Sequence, residues 1–70
     1  MKIVGQNQGV VMESNGFFIK RETRGFVIVD VGTNIALGKY TTPARTQAVF
    51  DEMICNFTNQ SKACYHMPQE

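Results

Sequence analysis

The side chains able to bind a soft metal or act as a nucleophile are few: Cys55, Cys64 and His66. A zinc site needs three or four ligands at a recognisable spacing, such as paired CxxC motifs. Cys64-Tyr65-His66 with a distant Cys55 is a poor match to that pattern, so no metal and no cofactor is expected, a mononuclear site shared across a dimer being the lesser alternative. Cys64 and His66 project from the same face of a strand and are neighbours there. Nucleophilic catalysis would also require a group to orient the imidazole and a set of oxyanion donors, and nothing in the chain supplies them. The acids show no pairing suited to proton transfer either. Asp51 and Glu52 are adjacent on a helix and therefore diverge. The chain reads as a non-enzymatic protein.

Binding is better represented than catalysis. Phe18, Lys20, Arg21 and Arg24 interleave an aromatic ring with cations, the combination that suits base stacking with phosphate contact, or a protein–protein hot spot. Tyr65 and His66, in the last strand, join them as candidate partner-binding residues, with Phe18 and Tyr65 expected on exposed faces. Seven Lys/Arg against six Asp/Glu give a net charge of +1. A dedicated nucleic-acid binder usually carries a clear basic excess, so that partner is disfavoured.

The elements that must hold these residues are short strands followed by a helix. Met1–Val4 and Val10–Glu13 precede Ser14-Asn15-Gly16, where Asn-Gly predicts a type I′ hairpin. In Phe17–Arg21 the alternation sets Phe17 and Ile19 on one face and Phe18 and Lys20 on the other. Glu22-Thr23-Arg24-Gly25 is a tight turn. Phe26-Val27-Ile28-Val29, apolar on both faces, is the expected central strand. After a turn at 31–34, Ile35–Tyr40 follows, with Gly38 marking a bulge or a close backbone approach.

Thr42 caps a helix and Pro43 occupies its first position. Over about 43–58 the stripe Thr46, Val49, Phe50, Met53 and Phe57 falls on one face, with Cys55 nearly opposite. Lys62–Met67 is a short final strand. The expected fold is α+β: an antiparallel meander of about five strands, one helix packed on a sheet face, and a short C-terminal strand, all in a single domain over 1–70.

A 70-residue chain buries only about 60% of its unfolded surface, so its stability is marginal without outside support. Disulfide, metal, dense packing and self-association are the usual supports. No apolar run is long enough to span a membrane, and the polar N-terminus does not read as a signal peptide. These features predict a cytoplasmic location, where Cys55 and Cys64 stay reduced and the sequons at Asn56 and Asn59 go unused. Packing and a homo-oligomer, favoured as a dimer, remain.

Met1-Lys2-Ile3-Val4, Leu37-Gly38-Lys39-Tyr40-Thr41-Thr42, Arg45 with Val49-Phe50-Asp51-Glu52-Met53, and Tyr65-His66-Met67-Pro68-Gln69-Glu70 recur together elsewhere. The chain resembles a family of small proteins encoded in phages and prophages of Gram-positive bacteria. Their pattern is an LGxYxT strand end, an RAxxVLxEI helix and a closing YxMPxE. Thr46 departs from the usual Ala, and Pro43-Ala44 from common acidic residues. The match is loose between Gly5 and Gly32.

The resemblance carries no catalytic motif. It implies an accessory role in a host cytoplasm: binding and inhibiting or modulating a host protein such as an antiviral-defence component. Two other partners stay open, a small nucleotide signal held at a subunit interface and, more weakly, nucleic acid.

Overall fold

Four successive apolar residues, Phe26 to Val29, need cover on both sides, and the fold places them in the middle of a sheet. In the computed structural model, residues 2–6, 11–59 and 64–69 are described. The described strands are β1 (Lys2–Val4), β2 (Val11–Glu13), β3 (Phe17–Glu22), β4 (Gly25–Asp30), β5 (Ala36–Tyr40) and β6 (Cys64–His66). A helix, α1 (Pro43–Asn59), lies between β5 and β6. The chain is thus an α+β fold with one helix and a C-terminal strand among the described residues.

The strands divide between two three-stranded sheets, β2-β1-β6 and β3-β4-β5. All pairs are antiparallel except β1 with β6, which run parallel with Ile3 opposite Tyr65. The Asn15-Gly16 hairpin is therefore corrected: β2 and β3 do not pair, and the segment carries the chain from one sheet to the other. Neither residue has the positive φ a type I′ turn demands. Ser14 turns inward instead and is fully buried, with its hydroxyl donating to Asp30. Met1, Val10, Lys62 and Ala63, assigned to strands from sequence, lie outside the described residues.

The remaining turns follow their local chemistry. Asn34 closes the β4–β5 turn at φ 64°, a conformation asparagine tolerates. Gly25 sits at φ 148° directly after the Thr23-Arg24 loop. At Gly38 the ladder slips, pairing Ile28 with Gly38 but Val29 with Ala36. The extra residue, Leu37, turns inward with Gly38, so both are buried. A Cβ at Gly38 would stand 2.8 Å from Met67 Cε and 3.0 Å from the Tyr40 hydroxyl. The missing side chain makes the notch that both fill.

Helix α1 starts where its cap chemistry says it should. The Thr42 hydroxyl accepts the Arg45 N–H at 3.2 Å, while Thr46 N–H and Oγ1 both donate to the Thr42 carbonyl. Thr42→Ala is expected to cost about 1 kcal/mol and lower the melting temperature by about 4–8 °C, with Thr42→Ser retaining most of it. Thermal denaturation followed by circular dichroism checks this.

Thr46, Val49 and Met53 are buried against the β3-β4-β5 sheet, as the stripe requires. Phe57 is 38% exposed and Asn56 takes the inward position at that end, bonding the Glu52 carbonyl through Nδ2. Phe57 still contributes, because Phe17 meets both Phe50 and Phe57 edge-on, with centroids 5.5 and 6.1 Å away. Cys55 is exposed, as its place on the wheel implies.

The core joins both sheets to the helix through Ile3, Tyr65, Ile28, Leu37, Tyr40, Val49, Met53 and Met67. Gln6 closes the seam between the sheets. Its N–H donates to the Leu37 carbonyl, and its side-chain amide bonds both backbone groups of Lys39. The primary amide thus stands in for a peptide unit at the edge of β5. The same Nε2 and the Tyr40 hydroxyl both donate to the Pro68 carbonyl. No helix of the described residues is long and apolar enough to cross a membrane.

Candidate functional site

The pleat of β3 decides which candidates share a surface. Phe17 and Ile19 turn toward the core, where Ile28 is their neighbour on β4. Phe18 and Lys20 therefore lie on the opposite, outer face, as the alternation predicts. Across that face the register forms two rows. Phe18, Val29 and Ala36 make an apolar row, and Lys20, Val27 and Lys39 make a row with a cation at each end.

Val27 and Val29 are each only 4% exposed although helix and core lie on the other side. Val27 is flanked by Lys20 and Lys39, and Val29 by Phe18 and Ala36. Phe18 remains 38% exposed. Val31 and Ile35, also exposed, stand near the same end of the sheet at the β4–β5 turn. Glu22 reaches Lys39 with 3.7 Å between Oε1 and Nζ, an exposed pair worth little by itself.

The other candidates are placed elsewhere. Arg21 belongs by alternation to the side of Phe17 and Ile19, opposite Phe26, and is exposed near the end of the sheet. Arg24 lies in the turn, beside an open depression of about 360 Å³ shared with Glu22, Thr23 and Lys39. The four residues Phe18, Lys20, Arg21 and Arg24 thus do not form one patch. Lys39, which sequence reasoning left out, completes the cationic row because β5 pairs beside Val27. The only available signal was its alternation within β5, which the bulge at Leu37 obscures.

Tyr65 is corrected from exposed to buried, at 3%. Its position opposite Ile3 in the parallel ladder turns the ring into the core, and its hydroxyl donates to the Glu52 carboxylate. Desolvation, followed by that carboxylate, pushes the phenol well above its usual range. His66 is exposed and shares a face with Cys64, with Nε2 and Sγ 4.0 Å apart. Among the described residues no group of three or more His, Cys, Asp and Glu is arranged to hold a metal.

Asp30 is a buried carboxylate that the sequence did not single out. Its Oδ1 accepts the Ser14 hydroxyl at 2.5 Å, and its Oδ2 accepts the backbone N–H and hydroxyl of Thr33, each at 2.8 Å. The Ser14 hydroxyl, then Thr33, holds the carboxyl below its ordinary value. An open depression of about 410 Å³ lies alongside, but both oxygens already accept hydrogen bonds from Ser14 and Thr33. The arrangement ties the β2–β3 crossing to the β4–β5 turn.

The segments behind the family resemblance meet in one place. Ile3, Leu37, Tyr40, Val49, Met53, Tyr65 and Met67 are neighbours in the core, with Gly38 as the notch between them. Packing accounts for these residues. No protein-family model, curated protein or solved structure matches the chain.

Proposed function

We propose that this chain is a binding protein whose outer β3-β4-β5 face receives a protein segment bearing acidic side chains next to apolar ones. The paired rows carry the reading: Phe18 and Ala36 offer exposed apolar area on either side of the buried Val29, and Lys20 and Lys39 set positive charge alongside. An aromatic beside cations, over already desolvated valines, has the composition of an interaction hot spot. In the setting the resemblance implies, the partner is a host protein, such as an antiviral-defence component, that the phage protein inhibits or modulates.

The test is native mass spectrometry of tagged protein isolated from producing cells, wild type beside Phe18→Ser/Lys20→Glu. A co-purifying protein present with wild type and weakened roughly thirtyfold in the double variant, by a loss of about 2 kcal/mol, is the expected result. Circular dichroism of the variant should be unchanged, because both residues are exposed. A partner retained by the variant overturns the assignment of this face. Recovery of only a nucleotide, or of nucleic acid lost steeply with salt, replaces the reading with one of the other two.

A further inference from the structure

Among the described residues β6 ends its sheet, and its backbone polarity is fixed by the parallel pairing with β1. The Met67 N–H donates to the Val4 carbonyl at 3.0 Å, which turns the odd-numbered residues of this segment toward β1. The N–H and C=O groups of Cys64 and His66 consequently point away from β1, toward the open edge. Their side chains project from the outer face, beside Lys2 and Val4, while Tyr65 projects into the core. Among the described residues one edge therefore carries two soft ligands and, at the same two residues, backbone groups that no strand pairs with.

We infer that two copies of this chain pair antiparallel along β6 and bind one zinc ion between Cys64 and His66 of each. The backbone polarity selects the register. Cys64 and His66 must face each other as hydrogen-bonded pairs, about 5.5 Å apart at Cα, with Tyr65 opposite its copy at the two-fold axis.

Successive residues on one face of a strand are about 6.8 Å apart. Two thiols and two imidazoles then stand at the corners of a small rectangle, with like ligands on its diagonals. Nothing projects from its centre on that face, because both Tyr65 rings point the other way. Tetrahedral zinc with Zn–S of about 2.3 Å and Zn–N of about 2.0–2.1 Å holds sulfur and nitrogen about 3.6 Å apart. The observed 4.0 Å between Sγ and Nε2 needs only a small contraction.

A single chain presents two ligands, too few for a site, and the second copy completes the set. On binding, each Cys64 thiol gives its proton to solvent. One Zn²⁺ then takes two thiolates and two neutral imidazoles, an electrically neutral centre, with two protons released per metal. The proposal is independent of the β3-β4-β5 face, and failure of either leaves the other standing.

Reduced protein, stripped with EDTA, is titrated with Zn²⁺ and followed by sedimentation velocity and native mass spectrometry. The expected result is conversion of monomer to dimer at one zinc per two chains, reversed by EDTA. Co²⁺ in place of zinc should give the visible bands of tetrahedral cobalt with thiolate ligands. Cys64→Ser and His66→Asn should each abolish the metal-dependent dimer, and Cys55→Ser should leave it unchanged. Because His66 is exposed, His66→Asn carries the test even if Cys64→Ser fails to fold. A chain that stays monomeric at saturating zinc overturns the proposal. So does zinc bound one per chain, or a metal-dependent dimer that persists in His66→Asn.

Discussion

Replacing Asp30 with alanine is expected to lower the melting temperature by about 12–24 °C, corresponding to about 3 kcal/mol in a domain this small. The carboxylate is buried and accepts from Ser14 and from both donors of Thr33. Bonds to a charged acceptor are each worth more than neutral ones, and deletion removes three of them together. The Ser14 hydroxyl keeps one alternative, the Gly16 carbonyl at 3.1 Å, so the greater loss falls on the Thr33 turn.

The pH dependence has a definite sign. The folded protein holds this carboxyl below its ordinary value of 3.8, first through Ser14, so it binds the proton less tightly than the unfolded chain does. The stabilisation is complete above the unfolded value and is lost as pH falls through the folded one. Asp30→Asn should flatten that acid limb in thermal melts at stepped pH. A variant melting within a few degrees of wild type would show that the turn stands without the carboxylate.

Gly25→Ala is expected to be at least as damaging, with a loss of about 3 kcal/mol or more and a largely unfolded product. The new Cβ would lie 2.5 Å from the Tyr40 carbonyl oxygen, on a backbone held at φ 148°. Neither the strand pairing nor the main-chain oxygen can move aside without breaking β4 from β5. Gly38→Ala makes the informative comparison. Its nearest contact is the methyl end of Met67 at 2.8 Å, a flexible tip that can swing away, so the loss should be smaller. Denaturant unfolding of both variants measures the difference, and equal losses would contradict this account of Gly25.

Features set by neighbouring residues were readable in the sequence. Thr42-Pro43 marks a helix start by chemistry confined to one turn, and the spacing of Thr46, Val49 and Met53 shows which side is buried. Phe26 to Val29 announce a central strand because polar residues are missing from both faces. The division into two sheets was not readable, since Asn15-Gly16 favours a hairpin locally. What overrides it is the bond between Ser14 and Asp30, sixteen positions apart. Tyr65 escaped because a strand of three residues has too little period to declare its inner face. Gln6 escaped because a side-chain amide replacing a peptide unit looks like any other polar residue. In the candidate surface, Phe18 with Lys20 followed from alternation, whereas Lys39 required knowing which strand lies beside β4.

The parallel union of β1 with β6 also governs when the molecule can fold. Residues 2–4 find their partner in residues 64–66, and Met67 then seats in the Gly38 notch while Gln6 and Tyr40 grip Pro68. During synthesis the β3-β4-β5 hairpins and the helix can form as they emerge, but their inner face stays open until β6 has been made and has paired with β1. Closure therefore waits on β6 and couples it to β1 across all the elements between them, a correspondingly non-local set of contacts. Until that moment Ile28, Leu37 and Met53 lack the cover that Ile3, Tyr65 and Met67 give them in the closed core.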